Sequence, residues 1–185
     1  MHLLLKPLRR DRLGPESIRE VVFGVEDGAV QNMALIAGMV GAGLASSVIV
    51  LAGSINAIAG VLAMSMGTYL SSEAERDALL ADDPTTGGGL RSPIRDAFVM
   101  AAAYAVGALV PLFPFTLPFV GRGVAITGAV ALAALTLFAL GVLKANVSRQ
   151  PRLRSGVQLL VLASIAGLTG YLLGAAAQAI FGIEV

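Results

Sequence analysis

Long stretches without a charged residue alternate with short clusters of charge along this chain. No Asp, Glu, Lys or Arg occurs over residues 28–72, a run of 45 residues. Further charge-free runs cover 97–121, 123–143 and 155–183. A helix rises about 1.5 Å per residue, so roughly 20 apolar residues cross the hydrocarbon of a bilayer. The first run is about twice that length and predicts two helices, with a turn among the small and polar residues of 41–47. Helices are expected at about 20–42, 46–76, 94–113, 120–145 and 153–181, with a short polar linker over 77–93. The acids and base Glu73, Glu75, Arg76 and Asp77 suggest that the second helix continues a turn or more beyond the membrane. Asp82-Asp83-Pro84 should end it, and the Thr/Gly tract over 85–89 reads as a flexible connector. Pro111 and Pro114 should stop the third helix, because proline lacks an N–H and clashes with the preceding turn. The pattern lacks the alternating ten-residue segments of a membrane barrel. The expected fold is an all-α integral membrane protein, one membrane domain over 1–185 with five transmembrane helices.

Composition agrees. Hydrophobic residues make up 56% and charged residues 14% of the chain, against roughly 25% charged in soluble domains. That excludes a water-soluble globular protein and a disordered chain. Twelve of the 13 cations fall before helix one, between helices two and three, or between helices four and five; Arg122 alone lies on the other side. The positive-inside rule then puts the N-terminus in the cytoplasm and the C-terminus outside. The opening apolar stretch is too short for a signal peptide, and the expected location is the cell (inner) membrane of a prokaryote. A net charge of +1 gives no field for nucleic acid. With no cysteine and a lone His2, disulfides, thiolate or histidine metal sites and histidine-based triads are excluded. An enzyme is therefore a weak reading, and no soluble cofactor motif is visible.

Glu26 and Asp27 stand at the edge of the long apolar run. A carboxylate at mid-span costs on the order of 2.5–3.5 kcal/mol on insertion scales, so an adjacent pair calls for a cause. One is solvation at the interface beside the positive end of helix one; the other is a cation or proton site. Gln31 follows Asp27 by four residues and shares its face, whereas Glu26 points about 100° away and can serve a different partner. On helix two, Asn56, Gly60, Met64 and Thr68 recur every four residues and line one face. Methionine on such a face is ordinarily packing. Opposite carboxylates it becomes a thioether beside oxygen ligands, a set suited to a borderline transition metal rather than Mg²⁺ or Ca²⁺. Many glycines within the helices imply close helix–helix approach and suggest a dimer interface.

The segments IREVVFGVEDGAVQNMALIAG, INAIAGVLAMSMGTYLSSEAERD and GALVPLFPF, in order on helices one, two and three, resemble the vacuolar iron transporter (VIT) family. The resemblance covers nearly all the chain from Ile18 onward. It implies a dimer of five-helix subunits that moves Fe²⁺, sometimes Mn²⁺, out of the cytosol in exchange for protons, along a route lined by helices one and two. The family's pathway aspartate and methionine fall on Asp27 and Met64. Two family glutamates are replaced, by Asn56 and Thr68, while Glu26 stands where the family often has Asn. A compensating arrangement is expected, with Glu26 facing Asn56 across the pathway. The family's inserted glutamate-rich domain between helices two and three is reduced here to the linker. Its acids Glu73, Glu75, Asp77, Asp82 and Asp83 read first as a solvated helix end and second as weak cation gatherers. The expected function is a proton-coupled exporter of divalent transition metal; the alternative is a non-transporting membrane anchor or interaction subunit.

Overall fold

The computed structural model describes residues 15–82, 90–148 and 150–182. The cations Lys6, Arg9, Arg10, Arg12 and Arg149, the acid Asp83 and the 85–89 connector lie outside them. Five helices form an antiparallel bundle: α1 Pro15–Gly41, α2 Ser46–Asp82, α3 Pro93–Leu112, α4 Arg122–Ser148 and α5 Arg152–Phe181. A short 3₁₀ turn, Phe113–Thr116, follows α3.

The bounds depart from the sequence pattern where polar residues carry helices past the apolar runs. Helix α2 extends to Asp82, beyond the expected 76. Its last turns hold Ala78, Leu79, Leu80 and Ala81, all good helix formers. Helix α1 is already helical at Pro15, the first described residue and five before the expected start. Helix α3 passes through Pro111 before it tightens into the 3₁₀ turn that holds Pro114.

The α1–α2 turn is a Schellman motif. Leu44 N–H donates to the Met39 carbonyl at 3.0 Å and Gly43 N–H to that of Val40 at 3.0 Å. Gly43 adopts φ 76°, a conformation that glycine takes without Cβ strain. Met39 and Leu44 then pack into the cluster built on Ile36, Ile49, Leu112 and Phe115. Arg122 caps this end by donating to the Gly43 carbonyl at 3.3 Å.

Helices α2 to α5 are each long and apolar enough to cross a membrane. Helix α1 is as long as α4 but carries Glu26, Asp27, Gln31 and Asn32. It nevertheless runs the depth of the bundle, from the Glu20–Arg91 ion pair at one end to the Gly43–Arg122 bond at the other. Its packing against α3 and α5 explains how that polarity is tolerated. Backbones come into direct contact at both seams. A Cβ on Gly107 would strike the Val25 carbonyl, and one on Gly174 the Gly38 carbonyl. In lipid such close approach supplies the van der Waals contact that holds helices together. Helices α1 and α2, though joined by a tight turn, touch much less than either touches α3.

Candidate functional site

A track of polar side chains runs between α1, α2 and α3. On α1 the residues Glu20, Asp27 and Gln31 fall close to one face, because seven and eleven residues are near whole numbers of turns. On α2 the stripe Asn56, Gly60, Met64 and Thr68 turns toward the same space, and α3 contributes Met100 and Tyr104 between them.

Tyr104 is the hub. It is fully buried. Its hydroxyl donates to Gln31 Oε1 at 2.6 Å. Asp27 lies near enough for its charge to act on that hydroxyl. Gly60 leaves the room for the ring, since a Cβ there would overlap the Tyr104 hydroxyl and ring. Met64 packs against the cluster of Ala57, Tyr104 and Ala108. Met64 of α2 thus shares a packing cluster with Tyr104, and the Asp27 charge of α1 reaches the same region.

One level further from the basic end, Asn32 is wholly buried and donates to the Ala108 carbonyl at 2.7 Å. Asn56 Nδ2 donates to Asn32 Oδ1 at 3.2 Å. The expected pairing of Glu26 with Asn56 does not occur. Glu26, about 100° round the helix from Asp27, is instead within reach of the Lys144 charge on α4. Asn56 meets α1 six residues later, about 9 Å along the axis. The 100° offset between Glu26 and Asp27 therefore sends the two carboxylates to different neighbours.

At the basic end a cleft of about 250 Å³ opens between α1, α2 and α3. Met64, Thr68, Ser71, Glu75 and Met100 line it, with Glu20 and Arg91 at its base. Arg91 bridges Glu20 at 3.1 Å and Asp96 at 2.9 Å. Ser72 Oγ, from α2, donates to the other Asp96 oxygen at 3.2 Å. Burial works to lower the Arg91 pKa, but its hydrogen bonds and charge attraction to Glu20 and Asp96 outweigh it and hold the guanidinium above its ordinary value. Of the remaining acids, Glu73 accepts a bond from Tyr69 at 2.9 Å, and Glu75, Asp77 and Asp82 are exposed. A larger cavity of about 360 Å³ between α1, α4 and α5 is lined mainly by apolar groups such as Ile36, Phe115, Leu137 and Leu168 and by no charged residue.

Sequence reasoning missed Tyr104, Asn32, Glu20, Arg91 and Asp96. The signal for the first two was present: a polar side chain at span depth is costly and finds a partner. Tyr104 stands alone among alanines, and Asn32 follows the noted Gln31. The ion cluster had no such signal, because it joins helix ends far apart in sequence.

Fold and site together define a polytopic α-helical membrane protein with a polar track buried beside its first helix. The chain matches the VIT family over residues 18–87 and 81–175, and it belongs to that family. The two matched segments meet in the linker, so it is a short member. It is 26% identical to "Vacuolar iron transporter 1" of Tulipa gesneriana, with 88% of each chain covered. It is likewise 26% identical to "Vacuolar iron transporter 1" of Arabidopsis thaliana, over 88% of this chain and 87% of that one. "Vacuolar iron transporter homolog 1" of Arabidopsis thaliana is 31% identical over 78% of this chain and 74% of its own.

Proposed function

We propose that this protein exports a divalent transition metal, Fe²⁺ and also Mn²⁺, from the cytosol in exchange for protons. It works as a homodimer in the cell membrane of a prokaryote, and it is a transporter rather than an enzyme. The convergence of Asp27 and Met64 on Tyr104 at span depth carries this reading. Family membership and the names of its relatives support metal as the cargo. A carboxylate binds metal when ionised and releases it when protonated, so one site serves both ions. The thioether favours a borderline metal over Mg²⁺. Gln31, Asn56 and Thr68 are the accessory polar groups along the route, and Glu26 lies off it.

The open side of the α1–α2 seam supports a dimer. Gln31 is exposed there at bilayer depth, where an amide needs a polar neighbour. Around the helix from that seam, α2 presents Leu51, Ile55, Ile58 and Leu62 outward. A specific observation favours the alternative, a non-transporting membrane subunit: Asn56 replaces a family carboxylate and is tied to Asn32. Proteoliposomes with an imposed pH gradient separate the two. The wild type should take up Fe²⁺ and Mn²⁺, Asp27→Asn should abolish uptake, and Met64→Ala should lose preference for Fe²⁺ over Mg²⁺. No uptake by the wild type would leave the subunit reading in place.

A further inference from the structure

Glu20 and Asp96, at the base of the basic-end cleft, are 6% and 3% exposed. Among the described residues, both lean on one guanidinium, that of Arg91. The other charges around this cleft and its rim, Arg19, Glu75 and Arg76, are exposed, and solvent screens them. Asp96 has both oxygens satisfied, by Arg91 and Ser72. Glu20 does not: its Oε2 is buried and lacks a hydrogen-bond partner among the described residues. A buried carboxylate oxygen without a partner calls for one, and a cation in the adjoining cleft would supply it. The cleft has room for an ion that keeps several of its waters. Thr68, Ser71, Ser72 and Glu75 offer further oxygens around it.

We propose that Glu20 Oε2 anchors a second, oxygen-lined divalent-cation site at the mouth of the track, seven residues or about 10 Å before Asp27. This inference rests on the transport reading and adds the step before it, capture of the cargo at the basic end. Among the described residues no group of three acidic or histidine ligands could hold a metal, so the ion stays partly hydrated and exchanges readily. Such a site accepts Mg²⁺ and Mn²⁺ alike, and choice between metals falls to Met64 deeper in.

The chain contains no cysteine, so Ser71→Cys supplies a unique attachment point for a nitroxide at the cleft. The full-length protein carrying Asp27→Asn is titrated with Mn²⁺ and read by electron paramagnetic resonance. Mn²⁺ should broaden the nitroxide signal, Mg²⁺ should compete, and adding Glu20→Gln should weaken Mn²⁺ binding about tenfold, since one ligand charge is lost. No broadening with Glu20 intact, or the same broadening in Glu20→Gln, overturns the site. If Glu20→Gln fails to fold, the labelled parent decides alone. Fe²⁺ uptake by the unlabelled wild type is scored separately: uptake without broadening sinks this inference alone, and broadening without uptake sinks the transport reading alone.

Discussion

The seat of Tyr104 can be tested by adding one methyl group. In Gly60→Ala the new Cβ would meet the hydroxyl oxygen, Cζ and Cε1 of Tyr104 at once. The ring has little freedom to retreat. It is fully buried, and Gly28 of α1 is pressed against the Tyr104 carbonyl behind it. Overpacking a filled site costs about 1–3 kcal/mol, and three simultaneous overlaps put this case near 3. Alanine returns about 1 kcal/mol through its higher helix propensity. The net loss is about 2 kcal/mol, or a fall of about 4–8 °C in melting temperature for a chain of this size. Thermal unfolding of the detergent-solubilised protein would show it. Gly167→Ala is the matched control, because a Cβ there meets nothing within 4 Å; it should melt at or above the wild type. Tyr104→Phe removes the nearest of the three overlapping groups, so the double variant should be less destabilised than the two single changes sum to. If Gly60→Ala melted at or above the wild type, Tyr104 would not sit against α2, and the site proposed for Asp27 and Met64 would lose its centre.

Asn32→Leu removes the bonds to Ala108 and Asn56 and should cost about 1–2 kcal/mol in unfolding free energy, since bonds within membrane bundles are worth less than their count suggests. Arg91→Met leaves Glu20 and Asp96 buried without their cation; a loss of about 3 kcal/mol is expected, and Arg91→Lys should recover part of it as a point charge without the fork. Glu20→Gln combined with Arg91→Met should restore stability relative to Arg91→Met alone, and additivity of the two losses would show that the pair is not coupled. The Arg91 guanidinium is held above its ordinary value. Its contribution is therefore complete below that ordinary value and is lost only as pH rises through the higher one. The melting gap between wild type and Arg91→Gln should accordingly stay constant between about pH 7 and 9.

The number of helices and their approximate bounds were legible from charge placement, because hydrocarbon excludes charge and demands internally bonded backbone. So was the shared face of Asn56, Gly60, Met64 and Thr68, since helical period alone fixes which residues of one helix look the same way. Period also foretold that Glu26 and Asp27 diverge, but not toward what: whether Lys144 or Asn56 received Glu26 depended on which helices flank α1. The tertiary structure decided that α3 wedges between α1 and α2, which set Tyr104 against Gly60 and bonded it to Gln31. It also brought Glu20, Ser72 and Asp96 together from three helices, with Arg91 from the segment before α3. A sequence states what each helix can offer. Which offers meet is set by backbone approach at positions such as Gly28, Gly60 and Gly107, where the energy lies in contacts between segments that no local pattern records.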